Sequence, residues 1–267
     1  MGARRARRGG RAAARGAGGT AATHDGGRRG RLAGLMLLLL PPSEGKTAPR
    51  SGRPLDLASL SFADVLTPLR ERLLAAVDPA LAAAPATAAW KLYSGVLYGR
   101  LDVASLPVAA RRRAARSVLI ASGLWGLLSL ADRVPSYKLP IGERVDGVGG
   151  LAAAWRAPVA EALAARDTPR ELVVDCRSGG YAAVWRPRRA TRLEVRAFAV
   201  KPDGSRQAIS HMAKATRGDV ARELLLAGAA PRTPADAASL LAAAGLDAEL
   251  REPERPGGAW SLDLLER

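Results

Sequence analysis

The chain has 267 residues, 48% of them hydrophobic, and a formal net charge of +16. That length allows one large domain or two small ones, and aromatics at only 4% imply an aliphatic core. The charge points to a polyanionic partner, with nucleic acid ahead of a membrane surface. A single cysteine, Cys176, excludes an internal disulfide framework. The two histidines, His24 and His211, lie far apart, with no Cys/His or Glu-x-x-His pattern. No stable metal and no cofactor are therefore expected.

Residues 1–35 contain nine Arg and one Asp, with almost no large apolar side chain. Such a segment cannot bury enough surface to offset its ordering entropy. It is expected to be disordered, with Met36 as the true start of the folded protein. A nucleic-acid-binding arm is a second reading. An export signal is a third, with Leu32–Leu40 as its apolar region, although Pro41 and Pro42 follow at once and no small-x-small cleavage site appears. No apolar run reaches the ~18 residues that span a bilayer, so a cytoplasmic protein without membrane association is expected.

From Met36 the chain reads as a strand over 36–40 and then a Pro/Ser/Gly loop to about 54. Ala/Leu-rich helices are expected over 62–77, 85–93 and 107–115. A buried strand over 117–121 ends in a glycine-bounded loop. The stretch Val145-Asp-Gly-Val-Gly-Gly150 turns the chain into a helix over 151–166, and 171–176 is another short buried strand. Segments 192–200 and 206–210 flank Lys201-Pro202-Asp203-Gly204-Ser205, a hairpin signal. A helix over 210–227 follows. Thr233 then offers an N-cap, Pro234 a first helical residue and Gly245 a stop. The elements add up to one α/β (mixed α+β) domain over 36–267, with a mixed sheet and surrounding helices.

Gly45-Lys46-Thr47 after a leucine run looks like a phosphate-binding loop. That motif needs a glycine five residues before Gly45, where Leu40 stands. Pro41 and Pro42 also lack the N–H groups that would cradle a phosphate, so an NTPase is set aside. What remains is Ser43 and Lys46 in a tight loop at a strand end, able to present a cation to a ligand; a solvated surface lysine is the plain alternative. The 146–155 stretch resembles the hairpin of a helix-hairpin-helix element, whose glycines let backbone N–H groups approach a phosphate. An ordinary turn competes with it.

At 100° per residue from Lys214, His211 falls near about 60°, Arg217 near about −60° and Arg222 near about 80°. These four groups share one helix face, which favours an anion over a merely solvated surface. Cys176 reads as a core cysteine. A peroxide-reactive thiol, its pKa lowered by Arg177, is the alternative.

The segments "MLLLLPPSEGKTAP", "SGLWGLL…PSYKLPIG", "LVVDCRSGGY", the Pro-Asp-Gly hairpin and "AKATRGDVAR" come in an order that resembles the bacterial YaaA peroxide-stress family, from Met36 to the C-terminus. The resemblance implies a cytoplasmic protein induced by hydrogen peroxide that limits damage by lowering unincorporated intracellular iron. It also implies a basic cleft, a helix-hairpin-helix-like element, DNA binding and no assigned reaction. Positions matching the family's motifs are Ser43 and Lys46; Gly95, Tyr98 and Gly99; Ser122, Gly123 and Gly126; and Tyr137 with Lys138. Further along they are Ser178, Tyr181, Lys214, Arg217, Gly218 and Arg222. Two departures stand out. The family's first loop is shorter and reads Ser-Pro-Ala-Lys, and the acid common just before the tyrosine is absent from Arg177-Ser178-Gly179-Gly180-Tyr181.

The leading expectation is a DNA-binding protective protein whose cleft is lined by Lys46, Lys138, Lys214, Arg217 and Arg222. Ser43, Ser178, Tyr98, Tyr181 and Trp125 are the further contacts, and the aromatics among them are candidates for base stacking. The alternative is an enzyme acting on a nucleic-acid lesion or a small phosphorylated molecule. There Lys46 would be the nucleophile, with Ser43, Tyr181 and His211 as acid/base groups. A regulatory interaction module is a third reading.

Overall fold

Five consecutive apolar residues form β1 (Met36–Leu40), and none of them exposes any surface. The computed structural model describes residues 36–208 and 212–266; the arginine-rich segment 1–35 and His211 lie outside the described residues. α1 (Ala63–Val77) falls where expected. The 85–93 segment does not form the expected helix. Thr87–Ala88 is a short strand, β2, laddered with Arg133–Val134, and α2 (Ala89–Leu92) is a single turn. Pro85 and β-branched Thr87 favour extended backbone there.

α3 (Val96–Leu101) begins after Gly95, and α4 (Val108–Ser117) runs directly into β3 (Val118–Ser122). β3 folds back as β4 (Gly126–Ser129), followed by β5 (Arg133–Val134). The glycine-rich stretch forms a hairpin from β6 (Arg144–Val145) and β7 (Gly149–Gly150). It leads into a helix, as the second half of a helix-hairpin-helix would, but residues 135–143 before it carry no helix. The expected helix over 151–166 is divided into α5 (Leu151–Ala154), α6 (Arg156–Ala162) and a 3-10 turn at Ala164–Arg166. Pro158 has no N–H to bond back to Ala154, which interrupts the ladder.

β8 (Leu172–Asp175), α7 (Gly179–Ala182), β9 (Thr191–Val200) and β10 (Arg206–Ala208) come next. The expected hairpin between the last two is closed by Gly204 at φ +80°, whose N–H donates to Lys201 O at 2.8 Å. α8 (Met212–Leu226) precedes α9 (Pro234–Ala243), where Thr233 and Asp236 cap each other reciprocally. Two strands that periodicity does not mark finish the chain, β11 (Ala248–Arg251) and β12 (Trp260–Glu266).

The large sheet has the order β11-β12-β9-β8-β1-β3-β4, with β10 paired to β9. Five of its strands, β3, β1, β8, β9 and β12, are mutually parallel, and β4 and β11 close the edges antiparallel. Numbered along the chain, the parallel set reads 2-1-3-4-5. In that doubly wound order the direction of winding reverses between the first and third strands, here β1 and β8. Folds of this kind place their ligands at the carboxyl ends of that strand pair. Among the described residues no helix is long and apolar enough to cross a membrane.

Asp175, the last residue of β8, is buried and held by Arg177 through two hydrogen bonds of 2.8 Å and by Arg192 of β9 at 3.1 Å. Arg177 also donates to Trp185 O at 2.7 Å and Tyr181 O at 3.2 Å, which fixes the chain leaving the strand. Burial pushes the Asp175 pKa up, but the Arg177 hydrogen bonds and the charges of Arg177 and Arg192 outweigh it and hold the carboxyl below its ordinary value. A depressed folded-state pKa gives stability that is present above the ordinary carboxylate pKa of about 4 and lost as pH falls below it. Asp175→Asn is expected to cost about 3 kcal/mol, because it leaves Arg177 buried without its counter-ion. It should also flatten the acid limb of the Tm-versus-pH curve. Unchanged acid limbs with a cost below about 1 kcal/mol would contradict this assignment.

Candidate functional site

The loop leaving β1 is pinned along its length. The Ser43 hydroxyl donates to Ser94 O, the Ser94 N–H to Gly45 O at 3.0 Å and the Thr47 N–H to Leu92 O at 2.7 Å. Lys46 bridges to Tyr93 through the backbone, and its ammonium donates to Ser43 O at 2.9 Å. That ammonium lies 4.6 Å from the Tyr137 ring centroid and 5.7 Å from that of Tyr93, within cation–π range of both. Gly95 at φ +102° completes the seat; a Cβ there would come 2.9 Å from Ser43 Oγ.

The chain has four tyrosines, and all four meet here. Tyr93 and Tyr98 stack with centroids 5.3 Å apart, and the Tyr98 hydroxyl donates to Pro41 O at 2.7 Å. Tyr137 links to Tyr93 through its hydroxyl at 2.7 Å and to Ser122 at 2.6 Å. Ser122 in turn accepts the Trp125 N–H at 2.9 Å. The 122–126 turn is fixed from behind. Trp155 Nε1 donates to Gly123 O at 2.8 Å, and the fully buried Arg70 of α1 donates to Trp125 O at 3.0 Å and Leu127 O at 2.8 Å.

Burial lowers the Lys46 pKa, opposed in part by the Glu44 carboxylate. Burial raises Tyr93, Tyr98 and Tyr137; neighbouring phenols raise Tyr93 and Tyr98 further, while hydrogen bonds to Ser122 and Tyr93 oppose the rise at Tyr137 in part, so all three are neutral hydroxyls at pH 7. Tyr181, from α7, is also raised by burial; a hydrogen bond from the Ile141 backbone opposes this and Glu44 adds to it. Glu44 therefore acts on both Lys46 and Tyr181, in a chain that lacks an acid just before the tyrosine.

The β8 side contributes a second cation. Cys176, on the residue after β8, donates its N–H to Leu39 O at 2.9 Å, which ties the two strand ends together. Its thiol is fully buried, and burial pushes its pKa up to about 12 even though the Arg217 guanidinium acts in the opposite direction. Arg217 thus reaches the carboxyl end of β8. Its Nε is buried, with no hydrogen-bond partner among the described residues. Gly218 lets α8 come this close, since a Cβ there would fall 2.5 Å from Leu97 O of α3.

The expected residues do not all converge. Ser43, Lys46, Tyr98, Tyr181 and Arg217 gather at the carboxyl ends of β1 and β8, and Ser178 stands there as the residue before α7. Lys138 is exposed, while its neighbour Tyr137 points inward, and Lys214 is exposed on α8. Arg222 is turned away. It donates to Leu101 O at 3.0 Å and Asp102 O at 3.1 Å, where it satisfies the end of α3. The shared α8 face is therefore split between Arg217, which reaches the end of β8, and Arg222, which satisfies the end of α3. Among the aromatics, Trp125 is fully buried and Tyr98 is 7% exposed with its ring stacked on Tyr93, so neither offers a free face to a base; Tyr181 is half-buried. The backbone carbonyls of Ser94 and Pro41, which set the loop geometry, had no sequence signature. Among the described residues no group of three or more His, Cys, Asp or Glu could hold a metal ion.

Two outcomes test this geometry. Cys176 should resist iodoacetamide in the native protein at pH 8 and react on unfolding; rapid native alkylation would contradict its burial. Gly95→Ala should cost about 1–3 kcal/mol, through strain at positive φ and the clash with Ser43. A neutral result in chemical denaturation would show that the loop is not held as described.

Residues 50–236 match the family model described as peroxide stress protein YaaA. The chain is 41% identical over 259 residues to a UPF0246 protein of Streptomyces coelicolor, an alignment covering 86% of this chain and 98% of that protein. It is 37% identical over 258 residues to a UPF0246 protein of Corynebacterium glutamicum (strain R), covering 86% and 100%. A UPF0246 protein of Ruegeria sp. is 32% identical over 177 residues, covering 63% of this chain and 69% of that protein. Since the matched residues 50–236 make up more than half of the chain, it belongs to the YaaA peroxide-stress family.

Proposed function

We propose that the protein protects the cell under peroxide stress by binding DNA through the crevice between the ends of β1 and β8. The observation that carries this reading is the pair of cations there. Lys46 is half-buried over two phenol rings, and Arg217 holds a buried Nε with no partner among the described residues. A phosphate in the crevice would meet both positive charges, and the neutral phenols and serine hydroxyls around them add hydrogen-bonding groups without adding negative charge. At Gly179, where a Cβ would meet nothing within 4 Å, there is room for a backbone to approach. Binding of this kind is largely independent of sequence. The lowering of free intracellular iron that the family resemblance implies is, in this reading, an indirect effect, and the site of action is the cytoplasm.

In fluorescence anisotropy with a short duplex, Lys46→Ala and Arg217→Ala should each weaken binding. Each should also reduce the slope of log K against log salt by about 0.9 for every phosphate that is no longer neutralised. Comparison of the full chain with residues 36–267 separates this site from the arginine-rich segment 1–35. Affinity unchanged from ~50 to ~200 mM salt would refute the proposal.

One observation favours a second reading, an enzyme acting on a nucleic-acid lesion. The lowered Lys46 pKa and the Ser122–Tyr137–Tyr93 hydrogen-bonded chain beside it are suited to amine chemistry. The amine of Lys46 would attack the aldehyde carbon of an abasic site and expel water to leave an imine, with the phenols and Ser43 moving the protons. Borohydride should then trap a covalent adduct on abasic-site DNA, absent in Lys46→Ala. Normal binding without an adduct would leave DNA binding alone.

A further inference from the structure

The opposite end of the sheet carries a separate basic surface. Strands β3, β8 and β9 begin there, immediately after Ser117, Glu171 and Ala190. Arg116, Arg170, Arg188 and Arg189 lie just ahead of these strands and are all exposed. Arg112, one turn earlier on α4, is exposed as well.

These arginines stand on one frame. The buried Arg166 donates to Met36 O at 3.0 Å and Arg116 O at 3.3 Å, and pairs with the buried Glu171. Asp167 accepts the backbone N–H groups of Arg188 at 3.0 Å, Arg189 at 2.8 Å and Ala190 at 2.9 Å. The Thr191 N–H closes the frame on Glu171 O at 3.1 Å. The two carboxylates within the cluster are thus already engaged, Glu171 by Arg166 and Asp167 by the chain that displays Arg188 and Arg189.

From β9 across β8 and β1 to β3 is three strand spacings, about 14 Å. That span covers about four base steps of a duplex at ~3.4 Å each. Of the large hydrophobic residues with the greatest exposure among the described residues, Val77 and Val96 belong to other segments, and Val108 is a single apolar side chain at the start of α4, about two turns before Arg116. The surface therefore presents charge without the apolar face that a membrane-bound element inserts.

We propose that this end of the sheet is a second phosphate-contacting surface that engages a nucleic-acid backbone independently of the β1/β8 crevice, so that one chain holds two duplex segments. The second surface goes beyond the reading above and does not rest on it; only the simultaneous holding of two segments does.

The test uses the full chain and the variant Arg116→Gln/Arg170→Gln/Arg188→Gln/Arg189→Gln, which keeps Arg166, Asp167 and Glu171 and so the frame. Its salt slope for a short duplex should fall by about 3–4 relative to wild type, at ~0.9 per phosphate. The corresponding Lys variant should retain most of the slope. Resonance energy transfer between donor-labelled and acceptor-labelled duplexes should appear with the wild-type chain and vanish with the Gln variant. Because the Gln variant could unfold, phenylglyoxal footprinting of the unaltered protein gives a second readout, in which duplex should protect Arg116, Arg170, Arg188 and Arg189. An unchanged slope in a folded Gln variant, or no protection, overturns the proposal. So does loss of binding to anionic phosphatidylglycerol vesicles with DNA binding intact, which would assign the surface to lipid. If the Gln variant loses its slope while Lys46→Ala/Arg217→Ala binds normally, the crevice reading fails and this one stands.

Discussion

The structure depends on β1 being paired in parallel on both edges. Five consecutive side chains with no exposed surface can exist in a strand only if both faces are covered and both neighbours are in register. β3 supplies one neighbour and β8 the other, and because they lie on opposite sides the winding reverses at β1. That reversal brings together two chain segments more than a hundred residues apart, the loop carrying Lys46 and the turn carrying Cys176 to Tyr181. The Cys176 N–H bonded to Leu39 O extends the ladder one step beyond β8, so the crevice opens only past that point.

What occupies the crevice walls follows from the same geometry. A lysine brought to the end of a buried strand loses hydration, and here that loss is offset by phenol rings, a backbone carbonyl and the more distant Glu44. The result is a cation held in place yet short of a full counter-charge, beside hydroxyls that stay neutral. Arg217 is in a comparable position on the β8 side, while the nearby Arg177 is consumed by Asp175, Tyr181 O and Trp185 O. Two adjacent arginine environments thus separate cleanly. One is bound into the scaffold, and the other keeps a buried Nε with no partner among the described residues.

Much of this was legible in the sequence, for identifiable reasons. β1, β3 and β8 are short apolar runs that end in glycine-bearing or proline-bearing loops, and buried parallel strands read that way. The Thr233–Pro234 cap and the Pro-Asp-Gly turn have local chemistry that tertiary contacts do not override. β12 was invisible because Asp263 interrupts its apolar run; only the folded chain shows Arg196 at 2.7 Å and Arg251 at 2.9 Å neutralising it. At the site, Ser43, Lys46, Tyr181 and Arg217 could be picked out by type and motif. Helical periodicity placed Arg222 on the same face as Arg217, but it cannot tell that α3 ends beside one and the crevice opens beside the other. The convergence of all four tyrosines likewise needs the topology, since Tyr93 and Tyr98 share one stretch while Tyr137 and Tyr181 come from two others far along the chain.

In the proposed function Lys46 and Arg217 serve one anion site across β1 and β8. A double-mutant cycle of Lys46→Ala and Arg217→Ala on duplex affinity, at fixed low salt in residues 36–267, tests that assignment most directly. Groups that share a ligand oxygen or neighbouring phosphates should couple by about 0.5–3 kcal/mol. Strictly additive effects, within about 0.3 kcal/mol, would mean that the two cations serve separate ligands and would contradict the assignment.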